Sequence, residues 1–527
     1  MVASVLAALR NHAPERGLVL NLDRGPAARV SYPQLQARAL QAGAAFRAAG
    51  VAVGARVVLP FATSEAAIVS FLGLIAAGAV PLSVKTASAG GGTADQAPWL
   101  ATLAENFGAC AIVDVDKHAA VPGLPTLAPP APLDAACDAL GAPHVAAGDD
   151  VAFVQFSSGT TSAPKGVPIR HAQLLQQLRQ ITAQDGRTSC DVGASWLPLY
   201  HDMGLVGGLL TSLLAGNDLH LWSPARFLLD PIGWLETLAR ERVSVTAMPS
   251  FGIAYLLRRL QEEAPELHGA DLRALRRIYV GSDLVDPAAL NRMQAALGPM
   301  GMGTGVFAPC YGMAEAVLMV SCSRGGAPRC VAPANGPSVA SVGPLLPGFE
   351  LLVQRTDGSI ANDGEMGELL LAGGTLGESY LDAPQPFVDA AGFYRTGDLG
   401  FLDAGELFVV GRIGDDIKIN GQRHSLAHLE QTLQAHPGVR PGGVAIVEAA
   451  DGLIALVEPS RYRRLLTSTV LRQELAALLM VRNGIKLESA RVVLLRAGQL
   501  PRTSSGKLQR SRLRQAVEDD RLALAED

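Results

Sequence analysis

Residues 157–166, SSGTTSAPKG, combine small hydroxylated side chains and glycines with one lysine, Lys165. Exposed backbone N–H groups, hydroxyls and a mobile positive charge are the groups that grip a triphosphate. The order differs from a Walker loop, Gly-x4-Gly-Lys-Ser/Thr, because a proline precedes this lysine and a glycine follows it. A polar Gly/Ser linker is the alternative interpretation. The apolar run at 151–154, followed by the PKG sequence, weighs against that alternative.

Four further stretches set polar or charged side chains beside apolar runs: SWLPLYHDMG (195–204), YGMAE (311–315), YRTGD (394–398) and GRIGDDIK (411–418). Each has an ordinary alternative. A lone His201 is more often packed or solvated than catalytic, Glu315 could cap a helix, and Asp398 could belong to a turn. Lys507, in the tail sequence PRTSSGK, would by default be solvated. Taken singly, none of these stretches decides a function.

Together and in this order, the stretches resemble the adenylate-forming superfamily of acyl-CoA synthetases, fatty acyl-AMP ligases and adenylation domains. The resemblance rests on SSGTTSAPKG, WLPLYHDMGL, YGMAE, YRTGDLG, GRIGDDIKINGQ and PRTSSGK, and it spans nearly the whole chain. WLPLYHDMGL, YGMAEAVL and the sequence GQRH at 421–424 are most similar to fatty acyl-AMP ligases. The resemblance implies that ATP activates a carboxylic acid, with a fatty acid expected, as acyl-AMP with release of pyrophosphate. Because two anions must approach each other, such a protein supplies positive charge and positioning rather than a nucleophile.

The resemblance also implies residue roles. Lys507 would bridge the acid and the α-phosphate, Asp398 would accept the ribose hydroxyls with Arg412 behind it, and Tyr311 would face the adenine. The expected catalytic residues are Lys507, His201 and Glu315. The expected ATP and AMP contacts are Ser158, Gly159, Thr160, Thr161, Lys165, Gly281, Ser282, Tyr311, Gly312, Met313, Ala314, Asp398 and Arg412. The expected acyl-chain contacts are Met248, Pro249, Phe251 and Val280. Glu315 and Thr160 would hold Mg²⁺, which prefers carboxylate and phosphate oxygens.

The sequence departs from the family pattern in places that bear on the thiol acceptor. Ser162 replaces a usual glycine, and Gly414 occupies the hinge position where relatives carry Asp or Lys. The insertion that marks many fatty acyl-AMP ligases, around 323–342 here, is reduced or absent, and in that family it is associated with excluding CoA. Lys418 is also more like CoA ligases. The expected acceptor is the phosphopantetheine thiol of an acyl carrier protein, with free CoA as the alternative.

The elements that would position these residues alternate between apolar runs and helical stretches up to about residue 320. Short buried strands are predicted at 57–60, 80–84, 110–113, 151–156, 243–247, 278–280 and 306–310, and amphipathic helices at 174–181 and 252–263. Repeated βα units imply mostly parallel sheets covered by helices. Between 340 and 411, turn-separated strands predict an antiparallel, barrel-like unit, and the stretch 121–143 predicts an exposed loop.

The prediction is therefore an α/β protein with two regions. Residues 1–411 would form an adenylate-forming core with two parallel-type sheets and the small barrel-like unit. Residues 412–527 would form a small mobile α+β domain, a lid that carries Lys507 and begins near a helix capped by Ser425.

Bulk properties narrow the function classes. The net charge of −5 over 527 residues gives no signal for nucleic-acid binding. The apolar stretch 66–84 contains Gly73, Gly78 and Pro81, which predicts a buried helix followed by a buried strand and not a membrane span of about 20 apolar residues. Six cysteines without a CxxC pair are typical of reduced thiols in a cytoplasmic protein.

Two alternatives come from other function classes. The first is a catalytically inactive nucleotide-binding or scaffold homologue, against which the intact candidates argue: Lys165, Glu315, Asp398, Arg412 and Lys507. The second is a kinase-like NTPase, which the PKG order disfavours.

Overall fold

The computed structural model describes residues 5–9, 12–22, 27–86, 97–115, 121–130, 143–157, 165–263, 269–332, 338–419, 422–449, 452–460, 467–502, 508–519 and 521–522. Up to residue 322 the strands are β1 (Gly17–Asn21), β2 (Ala28–Ser31), β3 (Arg56–Pro60), β4 (Val80–Val84), β5 (Ala111–Val113), β6 (Thr126–Leu127), β7 (Val151–Ser157), β8 (Lys165–Arg170), β9 (Val192–Ser195), β10 (Asp218–Trp222), β11 (Val245–Pro249), β12 (Arg277–Gly281), β13 (Phe307–Gly312) and β14 (Met319–Cys322). The helices of this part are α1 (Val5–Ala8), α2 (Tyr32–Ala48), α3 (Glu65–Ala77), α4 (Ala97–Asn106), α5 (His171–Asp185), α6 (Thr211–Ala215), α7 (Pro224–Leu229), α8 (Pro231–Arg240), α9 (Ser250–Glu263) and α10 (Pro287–Leu297).

Two mixed sheets organise this part of the chain. Among the described residues, one sheet has the strand order β14-β13-β12-β11-β9-β10-β1-β2, and the other has the order β6-β5-β3-β4-β7-β8. Their inner pairs are parallel, whereas β1–β2, β13–β14 and β7–β8 are antiparallel edge pairs. Parallel pairing requires crossover connections, which the intervening helices supply. The predicted α/β core with two parallel-type sheets is confirmed.

The apolar stretch 66–84 is a buried helix followed by a buried strand, as predicted. Helix α3 begins after Ser64, whose side chain accepts from the Ala67 N–H, and ends at Gly78. It packs so closely on α2 that a Cβ at Gly73 would lie 2.5 Å from the Ala42 Cβ. Small residues therefore set this helix contact, which accounts for the run of alanines and glycines. No helix of the described residues is long and apolar enough to cross a membrane.

The second half of the chain holds smaller sheets. Its strands are β15 (Cys330–Val331), β16 (Val339–Ala340), β17 (Phe349–Gln354), β18 (Gly367–Gly373), β19 (Tyr394–Asp403), β20 (Glu406–Arg412), β21 (Asp416–Ile419), β22 (Gln422–Ser425), β23 (Val439–Ala449), β24 (Gly452–Pro459) and β25 (Val492–Leu494). Its helices are α11 (Leu426–Gln434), α12 (Ser468–Asn483) and α13 (Arg510–Glu518). Strands β17–β20 form an antiparallel sheet in sequential order, and β23–β25 form a sheet against which α11 packs.

Two local predictions need correction. The stretch 121–143 is not wholly an exposed loop, because Val121 and Leu127 are buried and β6 pairs with β5; residues 131–142 lie outside the described part of the chain. Ser425 stands at the N-cap position directly before α11, but its side chain makes no capping hydrogen bond. Asp415 supplies a different anchor there, since its carbonyl accepts from the Leu426 N–H at 2.9 Å.

Candidate active site

A cleft of about 1370 Å³ is lined by residues of the two large sheets on one side and by residues of the C-terminal region on the other. The predicted site residues that line it are Lys165, His201, Pro249, Phe251, Val280, Gly281, Ser282, Tyr311, Gly312, Met313, Ala314, Glu315, Asp398 and Arg412. Residues Ser158, Gly159, Thr160, Thr161 and Lys507 lie outside the described part of the chain, so their predicted roles stay predictions. The cleft therefore brings together residues that lie far apart in the sequence, such as Lys165 and Arg412, which are 247 residues apart.

Glu315 lies in a short helical turn, Ala314–Ala316, directly after β13. Its side chain is buried, and Oε1 accepts hydrogen bonds from the hydroxyl of Tyr380 at 2.9 Å and from that of Tyr394 at 3.4 Å. Burial and the neighbouring Glu315 carboxylate raise the pKa of Tyr380, and they raise that of Tyr394 to about 12. Both tyrosines therefore remain hydrogen-bond donors to Glu315 throughout the neutral range.

The Glu315 turn ends in an unusual backbone conformation. Val317 has φ of 69°, a region that β-branched residues rarely adopt. The Gln155 side-chain amide holds this conformation by donating to the Val317 carbonyl at 3.0 Å. Gly312, before the turn, has no room for a side chain, because a Cβ there would lie 1.7 Å from the Leu318 carbonyl oxygen. The YGMAE sequence thus forms a tight, constrained turn that fixes the direction of Glu315.

Asp398 and Arg412 face each other across neighbouring strands. Residue 398 of β19 pairs with residue 412 of β20, and the Arg412 Nε donates to Asp398 Oδ1 at 2.7 Å. The hydroxyl of Tyr311, at the end of β13, donates to Asp398 Oδ2 at 2.6 Å. The carboxylate raises the pKa of Arg412, and burial with the same carboxylate raises that of Tyr311. The three predicted nucleotide contacts therefore form one hydrogen-bonded group.

Lys165 begins β8, at the exit of the SSGTTSAPKG stretch. Its Nζ lies 4.9 Å from the centre of the Tyr380 ring, within the range of a cation–π interaction. The next residue, Gly166, accepts the Leu381 N–H at 2.7 Å. The lysine of the phosphate-loop candidate therefore lies next to the tyrosine that contacts Glu315.

The apolar side of the cleft is formed by Pro249, Phe251 and Val280. Trp196 also lines the cleft, meets the Phe251 ring edge-on and stacks on Phe227 with ring centroids 3.9 Å apart. Met248, the other predicted acyl contact, is buried in the core and does not reach the cleft. This side of the cleft is suited to a hydrocarbon chain.

His201, Gly281 and Ser282 lie between the polar and apolar sides. His201 precedes a wide helical turn, Met203–Leu210, and its ring packs on Tyr200. Ser282 has φ of 75°, and its hydroxyl contacts the Met203 sulfur at 3.4 Å. The structure places these residues in the cleft, and their predicted roles stay predictions.

The C-terminal region contributes His428, Gln431, Arg502 and Arg510 to the cleft. Burial lowers the pKa of His428, and the Gln431 side-chain amide donates to the Leu284 carbonyl at 3.1 Å. Sequence reasoning named none of these residues, nor Tyr380 or Tyr394, as site residues. Two of them lay in recognised stretches, since Tyr394 opens YRTGD and Arg502 belongs to PRTSSGK.

The side chains around Glu315 can be compared with the ligands that a magnesium ion requires. No group of three His, Cys, Asp or Glu side chains that could hold a metal occurs among the described residues. Glu315 instead offers a single buried carboxylate beside Lys165 and its tyrosines. Mg²⁺ commonly binds through one or two carboxylates together with substrate phosphates. The residues present fit a metal that arrives with a nucleotide and do not fit a metal held by protein alone.

Known proteins resemble this chain in sequence and in fold. The family model for AMP-binding enzymes matches residues 8–381. JamA of Moorena producens, a medium-chain-fatty-acid–[acyl-carrier-protein] ligase, is 32% identical over 403 residues, which are 69% of this chain and 67% of that protein. A Mycobacterium leprae protein whose name gives it as a fatty-acid–CoA ligase, fadD21, is 28% identical over 497 residues, 84% of each chain.

Solved structures give the same result. One structure from a study of fatty acyl-adenylate ligases from E. coli and L. pneumophila superposes with a TM-score of 0.85, covers 98% of each chain and is 26% identical. The match therefore includes the C-terminal region as well as the two large sheets. The chain belongs to the AMP-binding enzyme family.

Proposed function

We propose that this protein activates a fatty acid with ATP to form acyl-AMP and pyrophosphate, and then transfers the acyl group to the phosphopantetheine thiol of an acyl carrier protein. The observation that carries the proposal is the single cleft that joins Lys165, Glu315 and the Asp398–Arg412 pair to an apolar wall. A phosphate-binding polar end and a hydrocarbon-binding end are what an acyl-adenylate requires. JamA, which is 32% identical over 403 residues, is named as a medium-chain-fatty-acid–[acyl-carrier-protein] ligase.

In the first step the carboxylate oxygen of the acid attacks the α-phosphorus of ATP. The bond from that phosphorus to the oxygen bridging to the β-phosphate breaks, and its electron pair leaves with pyrophosphate. Lys165, with Ser158, Gly159, Thr160 and Thr161, would hold the phosphates. Lys507 would neutralise charge between the carboxylate and the α-phosphate, where one donor is typically worth about 3–4 kcal/mol.

Residues on the other side of the cleft would orient the nucleoside. Asp398 would accept the ribose hydroxyls, because each of its oxygens keeps a lone pair beside the Tyr311 and Arg412 bonds. Tyr311, Gly312, Met313 and Ala314 would line the adenine, with Gly281 and Ser282 opposite. Glu315, with Thr160, would hold Mg²⁺, and the bound metal would offset negative charge on the phosphates.

In the second step the thiol sulfur attacks the acyl carbon, the bond to the AMP oxygen breaks, and the thiol proton is released. We assign residues 1–411 to a core that binds ATP and acid, and residues 412–527 to a lid that carries Lys507 and turns at Gly414 between the steps. Free CoA is the second candidate acceptor. Two observations favour it: fadD21, which is named as a fatty-acid–CoA ligase, aligns with 84% of this chain, and the 323–342 region is short. We place the reaction in the cytoplasm, since Cys110, Cys190 and Cys330 are exposed free thiols.

The test of the first step is acid-dependent exchange of labelled pyrophosphate into ATP across a series of acids of different chain length. We expect exchange that requires a fatty acid and falls by roughly two to three orders of magnitude in Lys507→Ala, because one transition-state charge donor is lost. A kinase-like enzyme would release ADP and give no such exchange. No exchange with any acid would identify the protein as a catalytically inactive homologue and overturn the proposal.

The test of the acceptor offers one activated acid to CoA and to acyl carrier proteins side by side. We expect thioester to form faster on a carrier protein. Acylation of CoA as fast as that of every carrier protein tested would assign the free-CoA alternative, with the first step unaffected.

A further inference from the structure

Residues 375–381 form a strap between the Glu315 turn and strand β8. Thr375 Oγ1 donates to the Ala316 carbonyl at 2.7 Å, and the Gly377 N–H donates to the Glu315 carbonyl at 2.8 Å. At the other end, the Leu381 N–H donates to the Gly166 carbonyl at 2.7 Å. The strap therefore ties the backbone of the metal-ligand candidate to the backbone next to Lys165.

Tyr380, in this strap, uses two different parts of its side chain. Its hydroxyl donates to Glu315 Oε1 at 2.9 Å, while the Lys165 Nζ lies over its ring face at 4.9 Å. Phe387 packs against the Tyr380 and Tyr394 rings with both centroid distances at 4.9 Å, which limits the directions the ring can take. One rigid side chain thus contacts the candidate metal ligand and the candidate phosphate lysine at once.

We infer that Tyr380 is a positioning residue that sets the separation between Glu315 and Lys165, so that a magnesium–nucleotide complex meets both groups together. The inference rests on the proposed function for the identity of the ligand. The hydrogen bond that the Tyr380 hydroxyl donates to Glu315 fixes the carboxylate in one orientation. The cation–π interaction with the Tyr380 ring keeps the Lys165 ammonium group near that carboxylate. The two contacts can be removed separately. Tyr380→Phe removes the hydroxyl and keeps the ring, whereas Tyr380→Leu removes both the hydroxyl and the ring.

The test measures binding of the non-reacting α,β-methylene analogue of ATP by calorimetry, first in EDTA and then across a Mg²⁺ titration. In Tyr380→Phe we expect the Mg²⁺ midpoint to rise roughly tenfold, because a hydrogen bond to a charged group is lost, with metal-free affinity within about twofold of wild type. In Tyr380→Leu we expect the same rise and a metal-free affinity about 2–5-fold weaker, since the cation–π contact is also lost.

The matched control is Tyr255→Phe, which removes a hydroxyl that donates to the Leu228 carbonyl on the apolar side. Thermal unfolding of each variant checks that it is folded. A Mg²⁺ midpoint in Tyr380→Phe equal to that of Tyr255→Phe, or lower, overturns the role toward Glu315. Metal-free binding in Tyr380→Leu equal to or tighter than that in Tyr380→Phe overturns the role toward Lys165. Because binding needs no acid, these outcomes are independent of whether pyrophosphate exchange occurs.

Discussion

At the scale of single residues, Asp398 shows how the cleft prepares a contact for a ligand. Both of its oxygens have protein donors, the Tyr311 hydroxyl and the Arg412 Nε. These donors compensate the burial of a carboxylate that is only 8% exposed. They also fix the carboxylate plane, so the remaining lone pairs point in set directions. Asp398 is therefore already oriented for a pair of adjacent hydroxyls.

Replacing this carboxylate by an amide should weaken nucleotide binding without a comparable effect on turnover. Asp398→Asn loses charge-assisted bonds that are typically worth about 1.5–3 kcal/mol. Because ribose contacts exist in the ground state and the transition state alike, we expect KM for ATP to rise and kcat to change little. Steady-state exchange kinetics measure both constants. Asp403→Asn is the control, on the same strand but paired with Arg329; a similar rise in KM there would contradict the assignment.

The sequence identified some site residues and missed others for a physical reason. Glu315, Asp398 and Lys165 lie in stretches whose spacing carries a recognisable pattern. Tyr380 lies in ESYLDAPQPF, and its contact with Glu315 spans 65 residues. Nothing local marks such a tyrosine, since its role depends on how the strap packs against the turn. Hydrogen bonds between distant segments are the part of a site that local pattern cannot predict.

At the scale of elements, the turn between β20 and β21 joins two differently anchored segments. Before Gly414, the Ile413 N–H donates to the Gly397 carbonyl at 2.8 Å, which ties the turn to β19. After it, Asp415 pairs with Arg510 of α13 at 3.0 Å. Gly414 itself has φ of 83° and no atom within 4 Å of a Cβ built there. Rotation at this residue would move one anchored segment relative to the other.

An alanine at Gly414 should therefore shift the balance between lid poses. An L-residue in a left-handed conformation costs roughly 1–2 kcal/mol, so Gly414→Ala should disfavour the present pose about 5–30-fold. We expect the ratio of acyl-AMP formation to thioester formation to change by about that factor. Rapid-quench measurement of both half-reactions gives the ratio.

The control for this change is Gly405→Ala, in the β19–β20 turn. Gly405 has φ of 77° and equally open surroundings, so the conformational cost is matched. That turn does not join the core to the lid, and the variant should lose stability while keeping the ratio. An identical ratio in both variants would show that Gly414 is not a hinge.

Elements were predicted best where an apolar run is continuous. Strand β4 lies at the predicted residues 80–84, and α9 ends at Glu263 as expected. Strand β10, DLHLW, alternates polar with apolar residues, and β9, VGAS, is short and small, so neither has a strong local pattern. The order of strands in the sheets is set by long-range pairing, such as β1 with β10, and no local signal encodes it.

At the scale of the whole molecule, hydrogen bonds from helix α9 join the first part of the chain to the C-terminal region. Arg258 of α9 donates to the Pro437 carbonyl at 2.9 Å, and also to the Val439 carbonyl and the Ser460 hydroxyl. The same helix carries Phe251, on the apolar wall of the cleft. The helix that would contact the acyl chain therefore also contacts the C-terminal region, which we propose as the lid. Acid binding and lid pose can be coupled through α9 without any further element.

Removing this guanidinium should loosen the present lid pose. Arg258→Met loses three hydrogen bonds to the C-terminal region, besides its ion pair with Glu262 of the same helix. Even a net loss of about 1.5–3 kcal/mol would change the ratio of lid poses roughly 10–100-fold. Fluorescence energy transfer between one dye on the core and one on the lid, measured on single molecules, gives that ratio directly. Arg259→Met is the matched control, because Arg259 pairs with Glu263 of the same helix. We expect a redistribution of transfer efficiencies in Arg258→Met alone, enlarged when acyl-AMP is absent. If both variants keep the wild-type distribution, α9 does not hold the lid, and the Gln431–Leu284 contact becomes the next candidate for the coupling.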